Sequence, residues 1–141
     1  MVGYPWPPYQ RFGWAGARLD DLLNWIPARL CWLLTGLCAL ALPGLNGRKA
    51  FSLGWRHRRR SKSPNSGWAE ASFAGALGRR LGGPVVRRGQ RMEEPWLGDE
   101  EDPPGAGARE IRRGAALALA QSLLLALLLV GLRWCWGEGG F

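Results

Sequence analysis

Cysteine and histidine are scarce in this sequence, so the metal centres and disulfides that depend on them have little support. The 141 residues include three cysteines, Cys31, Cys38 and Cys135, and one histidine. Cys31 and Cys38 are separated by roughly 10 Å along one predicted helix, which is too far for a disulfide. The chain has no Cys-x-x-Cys pair or Cys/His cluster. We therefore expect neither zinc nor an iron–sulfur cluster, and we interpret the cysteines as apolar packing residues.

The sequence also lacks the motifs of several common enzyme classes. It contains no Walker loop, no Rossmann glycine pattern and no catalytic serine or cysteine motif. A basic start followed by an apolar core is missing too, so we expect no secretory signal peptide. Residues 1–16 are instead aromatic and rich in proline, which predicts an irregular segment, suited to a membrane interface.

Positive charge is concentrated in the middle of the chain. The net charge is +8, and 15 of the 19 Lys and Arg residues lie between residues 45 and 113. Apolar segments flank this region, which indicates a polar loop between membrane segments and not a soluble basic domain that binds nucleic acid. Because basic loops favour the cytoplasmic side of a membrane, we expect residues 45–113 to face the cytoplasm.

The most basic part, residues 45–62, is predicted to be a linker whose charge serves this orientation. An alternative is that some of its arginines neutralise a nucleotide or a phosphorylated substrate. His57 lies inside the arginine run and is predicted to be solvated. A second loop is predicted over residues 84–108, where the charge changes from basic to acidic.

Two apolar segments, at about 25–43 and 115–136, predict the membrane contacts. Residues 115–132 form a clear transmembrane helix, with Gln121 and Ser122 as its only polar side chains. Residues 30–42 reach roughly 20 Å as a helix, short of a bilayer core of about 30 Å, which predicts a short span or a re-entrant segment. The predicted fold class is therefore a mainly α integral membrane protein whose polar loop carries an amphipathic helix.

Residues 18–30 have the leucine spacing of an amphipathic helix. Asp20 and Asn24 lie one turn apart on another face of it, with Asp21 rotated away from them. Two interpretations stay open. In the first, the two carboxylates are a pair that holds magnesium with phosphate oxygens; in the second, they are acids that complement the helix dipole. Pro27 is expected to kink or restart the helix.

A loop followed by a helix is predicted over residues 63–83. Pro, Asn, Ser and Gly in residues 63–67 are turn formers, and Asn65 or Ser66 is expected to cap a helix over residues 69–81. Glu70 would complement its dipole. Small residues at 71, 74, 75 and 78 predict a face that allows close approach. The open interpretations are a capped helix only, or an anion site at its N-terminus.

Three stretches resemble one family. The sequence SPNSGWAEASFAGALGRRLGG resembles the SPNAGWPEA, AGALG and LGG block of the CobD/CbiB family, the adenosylcobinamide-phosphate synthases of cobalamin biosynthesis. MVGY, FGWA and ARLDDLLNWIPARL near the start, and PWLGD with IRR further on, agree with that family in the same order. The resemblance covers nearly the whole chain but only the C-terminal part of the family, and Pro5-Trp6-Pro7-Pro8 departs from it.

The resemblance implies an activity and a set of site residues. The family joins aminopropanol, or its phosphate, to adenosylcobyric acid as an amide, with ATP and magnesium, in the inner membrane as a multi-pass protein. It leaves individual catalytic roles unassigned. The implied binding residues are Asp20, Asp21, Asn24, Asn65, Ser66, Gly67, Glu70 and Asp99. Asp20 and Asp21 are the implied magnesium ligands.

Residues 1–141 would then be one C-terminal piece of the synthase, inactive unless a separately encoded N-terminal half supplies the rest. The alternative is a non-enzymatic, small basic membrane protein whose loop binds anionic lipid or a partner subunit. Reading the genome immediately upstream separates these hypotheses, because a missing half encoded there indicates one piece of a synthase and its absence favours the non-catalytic protein.

Overall fold

The structure, a computed structural model, describes residues 10–61, 63–87 and 89–138. These residues are mainly helical, which confirms the predicted class at that level. In chain order the elements are α1 (Gln10–Leu23), α2 (Trp25–Ala41), α3 (Gly47–His57), α4 (Ser66–Leu77), β1 (Leu81–Gly82), β2 (Val85–Arg87), β3 (Gln90–Met92), β4 (Trp96–Leu97) and α5 (Ala108–Glu138).

The first two helices meet at Asn24, where the chain bends by 43°. The single helix predicted over residues 18–30 is therefore interrupted. Pro27 lies in the first turn of α2, where its missing N–H costs no helical hydrogen bond. The break thus occurs just before the proline, which agrees with the predicted kink or restart.

Residues 10–16 are helical, so the irregular segment predicted for residues 1–16 is wrong over this part. The physical reason is the position of the prolines. The last of the three, Pro8, precedes the start of α1 at Gln10, so none of them interrupts it. Residues 1–9 lie outside the described residues.

Helix α3 occupies most of the segment predicted to be a linker, so that prediction is wrong. The side chain of Asn46 accepts a hydrogen bond from the backbone N–H of Lys49 at 2.9 Å, and so caps the helix. The helix has an apolar side, which the high charge of this segment did not indicate. Ala50 and Leu53 on that side are fully buried, whereas Arg56 is exposed.

Helices α2 and α3 form an antiparallel hairpin. Gly47, at the start of α3, lies against the side chain of Leu40 near the end of α2. Further along, Trp32 of α2 donates its indole N–H to the carbonyl oxygen of Phe51 at 3.2 Å. The chain therefore returns along α2 to the end from which that helix began.

Helix α4 reverses direction again and packs closely on α3. A Cβ added at Gly75 would lie 2.5 Å from the carbonyl oxygen of Lys49, so only glycine permits this approach. Ala74 beside it is fully buried, which confirms the predicted small-residue face. Gly78 caps the helix with a φ of +61°, so α4 both begins and ends earlier than the predicted range of 69–81.

The core lies where α2, α3, α4 and α5 meet, and most of its side chains are small. Small side chains bury little apolar area each. They let the helices approach closely, however, and the additional van der Waals contacts between the helices offset this loss. Its buried members are Cys38, Ala39, Ala50, Ala76 and Leu117.

Helix α5 is 31 residues long and extends beyond the predicted residues 115–132 at both ends. Its first half packs on α2. There Thr35, fully buried, donates its hydroxyl to Gln121 Oε1 at 2.8 Å, which gives this polar side chain a partner. Most apolar side chains of the second half are exposed, for example Leu127 and Val130. By length and composition α5 is a candidate membrane span, and α1 with α2 pass the same test together as either a broken span or a re-entrant segment.

Two short antiparallel strand pairs replace part of the second loop predicted over residues 84–108. Strand β1 pairs with β4, and β2 pairs with β3 through a turn containing Gly89 at a φ of +75°. The predicted polar loop, residues 45–113, is therefore largely folded. Its helices α3 and α4 pack against α2, α4 also contacts α5, and strands β1 and β4 pack against α4.

Candidate functional site

Two of the stretches that carry the family resemblance meet at the junction of α1, α2 and α4. Asn65, just before α4, donates its side-chain amide to the carbonyl oxygen of Asp21 at 2.7 Å and accepts from Arg29 Nη1 at 2.6 Å. The hydroxyl of Ser63 donates to Asp21 Oδ1 at 3.1 Å. The antiparallel hairpin of α2 and α3 produces this meeting, because it returns the chain to the beginning of α2.

Asn65 is 6% exposed and occupies the N-cap position of α4, but its side chain makes no capping hydrogen bond. The predicted N-cap position of Asn65 is therefore confirmed, but its side chain does not make the capping hydrogen bond. The side-chain oxygen of Asn65 accepts from Arg29 instead, and its NH2 group donates to Asp21. Its side chain therefore does not bond to the N–H groups at the start of α4.

An open cavity of about 470 Å³ lies against this junction. The exposed Asp20 contributes to its wall and accepts a hydrogen bond from the side chain of Asn24 at 2.9 Å. We call it the Asp20 cavity. It is lined by Asp20, Asn24, Pro27, Ala28, Cys31, Ser63, Asn65 and Ser66.

The two adjacent aspartates have different environments. Asp20 lines the cavity, whereas Asp21 is half-buried and bonded to Ser63. Consecutive residues on a helix are separated by about 100°, which directs their carboxyl groups to different neighbours. No group of three or more His, Cys, Asp or Glu side chains suited to a metal ion occurs among the residues described. A magnesium ion held partly by substrate oxygens needs only one or two carboxylates, so the magnesium site stays a prediction.

The other site residues of this stretch contribute in different ways. Ser66 lines the cavity and donates its hydroxyl to Ser61 at 2.8 Å, and Ser61 in turn donates to Glu70 at 3.0 Å. Gly67 is buried, and a Cβ there would lie 2.4 Å from the carbonyl oxygen of Arg58. Gly67 thus lets the start of α4 lie close against the end of α3, while Glu70 is exposed.

Asp99 has a different set of neighbours and does not line the Asp20 cavity. Its carboxylate forms ion pairs with Lys49 at 3.1 Å and with Arg56 at 3.0 Å. Burial alone would raise the pKa of Asp99, but the hydrogen bond and charge of Lys49, with Arg56, hold it below its usual value. Lys49 also pairs with Asp102 at 2.6 Å. These contacts join α3 to the segment after β4.

Three tryptophans that the sequence analysis did not single out form a cluster behind the junction. Trp32, Trp55 and Trp68 come from α2, α3 and α4, and their ring centroids are 5.2 to 6.1 Å apart. Arg29 lies over the ring of Trp68 at 4.9 Å and over that of Trp25 at 4.6 Å. The cluster fixes Arg29, and through it Asn65. The spacing of Trp25 and Arg29, one helical turn apart, was the available signal.

His57 is 6% exposed, so its prediction as a solvated residue is wrong. Its Nδ1 accepts a hydrogen bond from the backbone N–H of Gly98 at 3.3 Å. Burial lowers the pKa of His57, and the charges of Arg60 and Arg56 lower it further, which favours the neutral imidazole that can accept this bond. The position of His57 at the end of α3, facing the β4 segment, removes it from water.

The comparisons with known proteins agree with the resemblance. The chain is 47% identical over 138 residues to the cobalamin biosynthesis protein CobD of Photorhabdus laumondii, covering 94% of this chain and 43% of that protein. It is 47% identical to CobD of Yersinia enterocolitica (91% of this chain, 39% of that protein) and 42% identical to CbiB of Salmonella arizonae (99% and 42%). The chain thus spans about 40% of the length of these relatives. No solved structure matches it. The family model described as CobD/Cbib protein matches residues 1–118, and the chain therefore belongs to the CobD/CbiB family.

Proposed function

We propose that this chain is the C-terminal part of an adenosylcobinamide-phosphate synthase and acts in cobalamin biosynthesis. The observation that carries the proposal is the meeting of the ARLDD and SPNS stretches at the Asp20 cavity, through Asn65, Asp21 and Ser63. Relatives about 45% identical are named for cobalamin biosynthesis. The reaction is ATP-dependent formation of an amide between adenosylcobyric acid and aminopropanol or its phosphate.

The groups at the cavity suit a part of this chemistry. The Asp20 carboxylate is exposed to the cavity and would bind magnesium together with phosphate oxygens of the nucleotide. Ser63 and Ser66 line the same cavity and donate their hydroxyls within the protein, to Asp21 and to Ser61, so they help to shape its wall. Asp21 and Asn65 act as positioning residues, because their polar groups hold the wall of the cavity together.

The chain needs further polypeptide to be active in this proposal. The apolar side chains Leu22, Leu23 and Ile26 near the cavity are 67 to 72% exposed. The relatives are more than twice as long as the part that this chain spans. We propose that the remaining part of the synthase, as a separate chain, covers this surface and completes the pocket for the corrin ring.

The proposed location is the inner membrane, with α5 as a span and residues 45–113 in the cytoplasm. The basic charge of that region and the exposed apolar second half of α5 support it. Cys135 near the end of α5 would then lie on the opposite side. A variant keeping only this cysteine should react with an impermeant thiol reagent in intact cells. A variant with Ser52→Cys as its only cysteine should not, and its efficient labelling would contradict this orientation.

Growth of a synthase-deficient strain on adenosylcobyric acid tests the function. The chain alone should not restore growth, and the chain expressed with the N-terminal part of a relative such as Yersinia enterocolitica CobD should. The N-terminal part expressed alone is the control. Failure of the pair, with both chains present in the membrane, would contradict the proposal and favour a non-enzymatic basic membrane protein.

A further inference from the structure

A wall residue of the Asp20 cavity, Cys31, contacts α5. Cys31 lines that cavity and is half-buried. Its Sγ lies 4.0 Å from Oγ1 of Thr35, one turn further along α2, and 4.0 Å from Nε2 of Gln121 on α5. Thr35 in turn donates its hydroxyl to Gln121 Oε1 at 2.8 Å. Three polar side chains therefore connect the wall of the cavity to the candidate membrane span.

These three side chains form a closed ring of hydrogen bonds, which we call the Gln121 ring. Because the hydroxyl proton of Thr35 goes to Gln121, the thiol of Cys31 is the donor in its contact with Thr35. The amide of Gln121 donates back to the sulfur of Cys31. Each member donates once and accepts once, and hydrogen bonds in such a chain strengthen one another. The ring thus engages both the proton and a lone pair of the thiol, which fixes its direction.

Gln121 lies in the apolar run 115–132, where a polar side chain costs free energy unless it has a partner. Ser122, the other polar side chain of this run, donates to the carbonyl oxygen of Ala118 in its own helix at 2.8 Å. Gln121 is instead bonded to α2, at the fully buried Thr35. A leucine would serve the membrane contact of α5 at least as well, so anchoring alone does not account for a glutamine here.

The two partners of the thiol lie behind the wall of the cavity. Thr35 and Gln121 are not among the residues that line the Asp20 cavity, whereas Cys31 is. The sulfur of Cys31 is therefore bonded toward α5. A thiol released from the ring gains its other staggered positions, and the open cavity beside it is the space available for them.

We propose that Gln121 is a positioning residue of the Asp20 cavity, which acts through the Gln121 ring to hold the thiol of Cys31 out of the cavity. Helix α5 then shapes the site in addition to anchoring the chain. The proposal deepens the proposed function, because it assigns a part of that site to α5. The ring is defined by its geometry, however, and its effect on the thiol is measurable without activity.

The rate at which N-ethylmaleimide modifies Cys31, in the purified full chain in neutral detergent, tests this inference. The reporter chain carries Cys38→Ala and Cys135→Ala, which leaves Cys31 as its one thiol. Thr35→Val removes the hydroxyl at nearly constant volume, and Gln121→Leu removes the amide. Each should raise the rate about threefold or more, since a hydrogen bond between membrane helices shifts an equilibrium by about that factor.

Two further variants serve as controls for the ring. Thr35→Ser keeps a hydroxyl at the same place and should keep the slow rate of the reporter chain. Ser122→Ala is the matched control on α5, because Ser122 is bonded within its own helix, and it should leave the rate unchanged.

Cys38 reports whether α2 and α5 separate. It is 7% exposed and packs in the core with Leu117 of α5. A second reporter chain keeps this cysteine and carries Cys31→Ala and Cys135→Ala. Thr35→Val should leave the rate of Cys38 unchanged, whereas a general loss of packing would raise the rates of both cysteines together.

The inference is overturned if Thr35→Val leaves the rate of Cys31 unchanged or lowers it, or if Thr35→Ser or Ser122→Ala raises that rate equally. An equal rise at Cys38 overturns it as well. Growth is scored separately with the pair of chains, where Thr35→Val should slow growth and Thr35→Ser should not; normal growth with Thr35→Val also overturns the positioning role. A pair that fails to restore growth while the thiol rates change as expected removes the proposed function alone, and restored growth with unchanged thiol rates removes this inference alone.

Discussion

The link between Asn65 and Arg29 is expected to stabilise the junction that forms the Asp20 cavity. Asn65→Ala removes two hydrogen bonds, one of 2.6 Å from the guanidinium of Arg29 and one of 2.7 Å to the carbonyl oxygen of Asp21. A hydrogen bond to a charged group contributes about 1.5–3 kcal/mol and a neutral one about 0.5–1.5 kcal/mol. Because Asn65 is buried, water does not replace them fully. We expect Asn65→Ala to lower the free energy of unfolding by about 2–4 kcal/mol.

A double-mutant cycle isolates the contribution of this pair. The four chains are the wild type, Asn65→Ala, Arg29→Gln and the double variant, each unfolded reversibly in mixed micelles and followed by tryptophan fluorescence. We expect a coupling energy of about 1.5–3 kcal/mol. Glu70→Ala is the control, because Glu70 is exposed, and it should change stability by less than about 0.5 kcal/mol. A coupling below about 0.5 kcal/mol would refute the assigned role of Asn65.

Three further predictions follow from the site and its packing. Asp20→Asn should abolish growth supported by the chain together with its complementary part. Because Asp20 is exposed, the free energy of unfolding should change by less than about 0.5 kcal/mol. Normal growth would exclude Asp20 from the site. Gly75→Ala should destabilise by about 1–3 kcal/mol through its clash with α3, measured by the same unfolding assay, whereas Gly114→Ala, with 3.7 Å to its nearest neighbour, should not destabilise. Because the pKa of His57 is lowered in the folded chain, the unfolded chain binds the proton more tightly. Stability should therefore be complete above about pH 6.5 and fall as the pH drops below it. His57→Gln should remove that part of the pH dependence, and an unchanged pH profile would contradict the assignment.

The helices show which elements the local sequence was sufficient to predict and which it was not. The composition of residues 115–132 predicted the long helix α5 directly, since an apolar run of that length has few alternatives. Gly78 ended α4 earlier than predicted, because a residue with a positive φ closes a helix wherever its carbonyls are satisfied. Helix α3 was not predicted, because the many basic residues of this segment are typical of a linker. The few apolar and small residues that form the buried side of α3 are a weaker signal.

For the candidate site, too, the sequence predicted some features and the tertiary structure decided the others. The sequence alone determined the family, the acidic pair on α1 and the turn residues before α4, because each of these is local in the chain. Only the tertiary structure decided that Asp21 and Asn65 are in contact, that Asp20 faces a cavity and that Asp99 belongs to another group of charges. Contacts between residues 44 positions apart depend on how α2 and α3 fold back on each other. That reversal is set by the glycines and alanines packed between the helices, and no single stretch of sequence contains it.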